Sequence, residues 1–230
     1  MKYLLEVCLI ALSAGNSAPV GAAAQSPAMQ PGISVKLVST RNATPMPEAD
    51  SKDAFVVALT ENSSIYLGVS RITLPELAEK TRATPFQRSQ AIYIKADART
   101  PYAAVLAVLQ ATGGVIPQVL LTNQSSPTES TGIVPAQGLN VSVGSTFPPG
   151  SVATVLQLFP SLPGRPLLRI NNDETSWSAL ENTLKKHFEK GDDRLVLVRT
   201  DPRLPFAEVV HAVDSCRATG AKVFLAPPGR

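Results

Sequence analysis

The run Ile92-Tyr93-Ile94-Lys95-Ala96-Asp97-Ala98-Arg99-Thr100-Pro101-Tyr102-Ala103 returns as Val196-Leu197-Val198-Arg199-Thr200-Asp201-Pro202-Arg203-Leu204-Pro205-Phe206-Ala207. Both read apolar triplet, base, Asp, Arg, Pro, aromatic, Ala, at an offset of roughly 104 residues. Self-similarity on that scale marks a duplicated folding unit. The register persists through Val105/Val209, Leu106/Val210 and Leu109/Val213, then reaches Val119-Leu120-Leu121 opposite Val223-Phe224-Leu225. Upstream, Gly32-Ile33-Ser34-Val35 echoes Gly138-Leu139-Asn140-Val141, with the offset drifting by about two residues as loops change length. The 230 residues are therefore expected as two units, 32–123 and 138–228. The aperiodic stretch 124–137, rich in Ser, Thr, Pro and Gln, is expected to link them.

Each copy predicts the same string of elements. A short leading strand (Ile33 to Val38; Leu139 to Val143) precedes a mostly apolar strand, Ala54 to Leu59 or Val152 to Phe159. After a turn comes Ile65 to Val69, or Pro166 to Ile170. Thr73-Leu74-Pro75-Glu76 has the form of a capping box and opens a helix. In the second copy the helix begins near Thr175 or Ser176 and runs Trp177, Leu180, Leu184, Phe188 as an apolar stripe. Strands Ala91 to Lys95 and Leu195 to Arg199 follow. Second helices open at Pro101 and Pro205, where a missing amide costs nothing. Their stripes, Tyr102, Val105, Leu106, Leu109 and Phe206, Val209, Val210, Val213, keep the spacing that buries one helix face. A last strand, reached by a right-handed crossover, lies parallel to the one before. The fold class is α+β: two tandem domains, each a mixed β-sheet with two helices on one face, in the order β-β-β-α-β-α-β. With 44% hydrophobic but 5% aromatic residues, the cores are expected to consist of Val, Leu, Ile and Ala.

Residues 1–24 have the form of a secretory signal peptide: Met1-Lys2, an apolar stretch from Tyr3, and small residues ending Ala22-Ala23-Ala24 before Gln25. Glu6 interrupts the apolar stretch, so an uncleaved short anchor and a misread start remain alternatives. Elsewhere no run of about 18 apolar residues occurs. Cleavage would remove Cys8 and leave Cys216 without a disulfide partner. A net charge of +3, with Lys185-Lys186 as the one adjacent basic pair, gives no reason to expect a nucleic-acid partner.

Taken in order, Ile65-Tyr66-Leu67-Gly68, Leu74-Pro75-Glu76-Leu77, Ile94 to Asp97 with Tyr102, and Val213-Asp214-Ser215-Cys216-Arg217-Ala218-Thr219-Gly220 before Val223-Phe224-Leu225 resemble the periplasmic domain of ExbD and TolR. The resemblance covers each copy nearly end to end. It implies a periplasmic, non-enzymatic biopolymer-transport accessory, associated with the inner membrane and acting through protein or cell-wall contacts. The partners it implies are motor subunits of ExbB/TolQ type, TonB/TolA-like energy transducers and peptidoglycan. It also implies pairing of domains, here as an intramolecular pseudo-dimer or a homodimer. Two departures stand out. Gly113-Gly114-Val115-Ile116 replaces the expected helix end, so the first copy's second helix is expected to fray early. The family's transmembrane helix with its proton-handling Asp is missing, so with the signal cleaved this chain would not couple the proton gradient itself. A second class of function is a small-ligand or peptidoglycan-fragment binding module using the cleft between copies.

The chain offers no constellation for catalysis. His187 and His211 lie on predicted helices without a nucleophile beside them. Cys216 with His211 falls short of a metal set, Asp192-Asp193 reads as a solvated turn, and no glycine-rich phosphate loop occurs. No catalytic residue, metal or cofactor is expected. The candidate partner-binding residues are Asp97, Arg99, Tyr102, Asp201, Arg203 and Phe206. The two carboxylates end strands just before helices, where ligands often bind in open sheets; alternatively they accept turn amides and favour the helix dipole.

Overall fold

The computed structural model describes residues 32–84, 91–113, 116–124, 135–144, 147, 150–161, 164–189 and 193–227. The expected signal peptide, with Cys8, lies outside them. The first copy runs β1 (Ser39–Thr40), β2 (Thr44–Pro45), a 3-10 turn (Pro47–Asp50), β3 (Phe55–Leu59), β4 (Ile65–Leu67), β5 (Ser70–Ile72), α1 (Leu74–Ala83), β6 (Ile92–Ala96), α2 (Tyr102–Thr112) and β7 (Gln118–Gln124). The second runs β8 (Gln137–Val143), β9 (Thr154–Phe159), β10 (Leu167–Ile170), β11 (Asp173–Thr175), α3 (Leu180–Glu189), β12 (Leu195–Thr200), α4 (Phe206–Arg217) and β13 (Lys222–Leu225).

Local chemistry explains most of these boundaries. The capping box at α1 is formed: the Thr73 hydroxyl accepts from the Glu76 amide at 3.4 Å, and Glu76 accepts from the Thr73 amide at 2.7 Å. α2 stops at Thr112 before Gly113, one residue shorter than α4. The buried Gln118 amide group closes that end, donating to Leu109 O at 2.6 Å and Thr112 Oγ1 at 2.9 Å. Each copy has an unexpected strand just before its first helix, because a tight turn follows β4 and β10. Gly68 (φ 62) makes the first; Asn171 (φ 49) and Asn172 (φ 78) make the second. α3 starts at Leu180, four residues beyond Ser176, whose hydroxyl accepts from the Ala179 amide at 3.2 Å.

The described strands form one mixed sheet in the order β11-β10-β9-β12-β13-β8-β7-β6-β3-β4-β5. β6·β7 and β12·β13 are parallel, as crossover connections through α2 and α4 require. The copies are thus not separate beads on a linker. β8 lies between β7, which it pairs antiparallel from Gln118↔Val141 to Thr122↔Gln137, and β13, which it pairs parallel at Phe224↔Ser142 and Leu225↔Val143. Gln124 and Gln137, the ends of the expected linker, are strand residues.

The first leading strand departs from Ile33 to Val38: β1 pairs parallel with the end of β7, at Ser39↔Asn123 and Thr40↔Gln124, past the residues that β6 covers. Residues 32–38 run past the end of β6 instead, where the Lys36 carbonyl accepts from the Ala98 amide at 2.8 Å. Pro202, the counterpart of Ala98, has no amide to offer.

One apolar core runs through both copies on the helix side, holding Leu77, Tyr102, Leu184 and Phe206 with Ile94, Leu120, Val198 and Leu225. A second, smaller cluster of Ala49, Tyr93, Val119 and Leu121 fills the opposite face of the first copy beneath Met46. Gly138 is where these layers meet the joint. A Cβ there would overlap Val119 Cγ1 and press on Met46 Cγ at 3.0 Å, and Val119 is buried and too short to swing away. Gly138→Val is expected to destabilise the protein by about 3 kcal/mol, read as a lower denaturation midpoint at unchanged slope.

Candidate functional site

The repeated Asp-x-Arg-x-Pro-aromatic junctions meet each other. β6 and β12 each end where the Asp amide donates to the neighbouring strand: Asp97 to Leu59 O at 2.9 Å and Asp201 to Leu158 O at 3.2 Å. The chain then turns through Pro101 and Pro205, which precede α2 and α4 in the N-cap position (φ −57 and −58) and pair with each other in an antiparallel bridge.

Proline has no side chain with which to cap a helix, so the first amides of α2 and α4 need acceptors from elsewhere. The other copy supplies them. Tyr102 N donates to Leu204 O at 2.9 Å and Ala103 N to Pro202 O at 2.9 Å. Reciprocally, Phe206 N donates to Thr100 O at 2.8 Å and Ala207 N to Ala98 O at 3.0 Å. Exchanging each residue for its counterpart maps either pair of bonds onto the other. Such self-complementarity defines an isologous, two-fold contact, achieved here within one chain.

The six candidate residues divide by exposure. Asp97 accepts from Arg99 Nε at 3.0 Å, from the Arg99 amide at 3.1 Å and from the Lys36 amide at 3.0 Å. Asp201 accepts from Arg203 Nη2 at 2.8 Å, Nε at 3.0 Å and the Arg203 amide at 2.9 Å. Both carboxylates therefore hold their own turns. The guanidiniums face solvent, with side chains 57% exposed at Arg99 and 82% at Arg203, and Arg99 also reaches Glu61 at 2.7 Å. Tyr102 and Phe206 are 1% and 0% exposed, so their rings serve the interior.

Hydrogen bonds from Arg99 and Arg203, aided by the turn amides, hold the Asp97 and Asp201 carboxyls at about 2, against an ordinary value of 3.8. A carboxyl depressed in the folded state contributes stability above its unfolded value, and that stability is lost as pH falls through the folded one. Unfolding free energy is thus expected to drop between about pH 4 and pH 2, by about 1 kcal/mol per junction once screening at the exposed guanidiniums is allowed for. The double variant Asp97→Asn, Asp201→Asn should flatten that acid limb in a pH series of denaturant melts.

The Tyr102 hydroxyl is buried without a hydrogen-bond partner, and burial pushes its titration well above the usual phenol range. Its counterpart is Phe206. Tyr102→Phe is expected to raise stability by about 1 kcal/mol by removing an unpaired polar atom at constant shape, measured as an increase in the denaturation midpoint.

A second polar feature joins the copies asymmetrically. The buried Asp214 carboxylate on α4 accepts from the Arg41 amide at 3.1 Å and the Asn42 amide at 2.8 Å. Beside it opens a polar groove of about 540 Å³, lined by Arg41, Arg165, Trp177, Glu181, Glu208 and His211 among others. Arg165 stacks on Trp177, 3.8 Å from the ring centre, and pairs with Glu208 at 3.4 Å; Arg41 pairs with Glu181 at 3.5 Å. Burial pushes the His211 imidazole below its ordinary value, against the upward pull of Glu208. Sequence reasoning missed Asp214; its signal was a carboxylate set among Val210, Val213 and Cys216 on the buried side of α4.

Cys216 is fully buried, and its thiol is pushed up to about 12, which leaves it unreactive near neutral pH. Among the described residues, no group of three or more His, Cys, Asp and Glu side chains could hold a metal ion. None of their helices is long and apolar enough to cross a membrane.

A family model described as Biopolymer transport protein ExbD/TolR matches the chain twice, over residues 22–126 and 117–226. No curated protein and no solved structure matches it.

Proposed function

From the premise that the chain belongs to the ExbD/TolR biopolymer-transport family, we propose that it is a periplasmic, non-enzymatic accessory whose paired domains are supplied by one polypeptide and which works through protein contacts. Proteins of this family act with ExbB/TolQ and TonB/TolA partners, and subunits of those types are the partners proposed for this chain. The observation that carries the reading is the reciprocal hydrogen bonding across Pro101 and Pro205. Through it the two copies pair with each other within one chain. Arg99 and Arg203 are the exposed cations of that junction, and they are proposed to face the partner. Affinity capture of the full chain from solubilised inner membranes tests this: motor subunits should co-purify with the wild type and be lost when Arg99→Glu and Arg203→Glu are combined. Equal recovery with the variant would remove the arginines from the contact. Absence of motor subunits from both captures would overturn the partnership.

The second reading, a small-ligand or peptidoglycan-fragment module, is favoured by the groove around Trp177, His211 and Arg41 rather than by a cleft at the junction. A gain in thermal stability with soluble cell-wall fragments, lost in Trp177→Ala, would support it through ligand linkage.

A further inference from the structure

The duplication supplies an internal comparison for the groove beside Asp214. At the offset that relates Tyr102 to Phe206, Ala104, Ala107, Gln110 and Ala111 of α2 correspond to Glu208, His211, Asp214 and Ser215 of α4. All four of the second copy's residues line the groove. The copies also differ in spacing, since α1 lies closer against α2 than α3 does against α4. Alanines let helices approach, whereas polar side chains with open space beside them forfeit packing contacts. A ligand that fills the space offsets that cost. The groove is built by both copies: Ser39 and Arg41 come from the first, and the rest of its described lining from the second. Its volume of about 540 Å³ lies within the range of small-molecule sites, roughly 300–1,000 Å³.

The charges of the groove select the chemistry of that ligand. Arg41 reaches Glu181 at 3.5 Å, and Arg165 reaches Glu208 at 3.4 Å. Both contacts are longer than the roughly 2.7–2.9 Å of a tight charge-assisted bond, so each pair has room for a further partner. The Asp214 carboxylate is already taken by the Arg41 and Asn42 amides. His211, held below its ordinary value by burial, is neutral near pH 7 and offers a hydrogen bond rather than a charge. Two cations and two carboxylates therefore remain for a ligand. A simple anion would draw the arginines and leave Glu181 and Glu208 without their partners, and a simple cation would do the reverse. A molecule carrying both charges leaves none uncompensated.

We infer that the groove binds a free zwitterion of the amino-acid or dipeptide class, with its carboxylate on Arg41 and Arg165 and its ammonium on Glu181 and Glu208. Trp177, whose ring carries the Arg165 guanidinium at 3.8 Å, holds that cation in place. The inference rests on the second reading of function, in which the groove takes a small ligand, and it names the class of that ligand. A peptide joined to a polymer through its amino end lacks the α-ammonium and does not meet the requirement.

The chain's one tryptophan lies in the groove, so its fluorescence reports occupancy. Dialanine titrated into the full chain is expected to change Trp177 emission saturably. N-acetyl-dialanine, which has lost the ammonium, and dialanine amide, which has lost the carboxylate, should each bind at least about tenfold more weakly. Glu208→Gln should weaken dialanine by a similar factor and leave N-acetyl-dialanine no weaker, a pattern that general damage to the groove would not give. A thermal melt without ligand checks the fold of that variant, and Glu181→Gln takes its place if Glu208→Gln is destabilised. No change in emission with millimolar dialanine overturns the inference, as does equal binding of the capped forms or an equal loss of both ligands in the variant. If cell-wall fragments raise thermal stability and dialanine gives no signal, the ligand class is wrong while the groove remains a ligand site. If neither acts, the reading of the groove falls with it.

Discussion

Phe206→Ala is expected to destabilise the protein by about 3–5 kcal/mol and to lower the unfolding midpoint of both copies together. The ring is wholly buried in the core that runs through both halves, and it sits one residue past the bridge between Pro101 and Pro205. Its backbone amide still finds Thr100 O in the variant, so the loss is one of packing: transfer of the ring from the interior plus the cavity left behind. Because α2 and α4 share that core, a void beneath α4 removes support from α2 as well. Trp177 fluorescence reports the second copy, and hydrogen exchange at β6 reports the first. The two should give one transition with the same free energy. A first copy that keeps its wild-type stability while Trp177 unfolds early would show that the cores are energetically separate.

Much of each copy was legible in sequence because it is governed by local periodicity. The stripe from Tyr102 to Leu109, the Thr73–Glu76 box and the apolar triplets before Asp97 and Asp201 each fix an element with no knowledge of the rest of the chain. The extra strands β5 and β11 were missed because three residues are too short to show a period. Their signal lay in the turns, at Gly68 and at Asn171-Asn172, whose positive φ values suit a hairpin.

What lay beyond reach was non-local. Tyr102 and Phe206 stood as partner-facing candidates although the same spacing put them on the buried stripe. The partner that their backbones meet is the other copy, and no periodicity records that pairing. The insertion of β8 between β7 and β13 was equally hidden, since a strand's sequence states its faces but not its neighbours.

The duplication nevertheless does not produce two equal halves. Ala98 offers an amide to the first leading segment, and Pro202 has none to offer to the second. β8 instead enters the sheet beside β7, and β1 pairs with the tip of β7, over α4. That pairing brings Arg41 and Asn42 to Asp214, a contact whose counterpart position in the first copy is the exposed Gln110.

Asp214→Ala therefore tests the asymmetry directly. The carboxylate is a charged acceptor for two backbone amides, and the Asp214 carbonyl accepts from Asn42 Nδ2 at 3.2 Å. Charge-assisted bonds of this kind contribute about 1.5–3 kcal/mol each, and losing the acceptor strands the amides it served. The expected cost is about 3–5 kcal/mol, with Asp214→Asn losing roughly half of that because one oxygen remains to accept. Stability alone does not identify the cause, so exchange at the Arg41 and Asn42 amides is the deciding measurement. Both should accelerate in Asp214→Ala by more than the global loss of stability explains, while the Tyr102 and Phe206 amides, held across the proline bridge, follow the global change. Arg41 and Asn42 amides that stay as protected as in the wild type would mean that the β1 tip is held by its ladder to β7, and that Asp214 is not what fastens the first copy to α4.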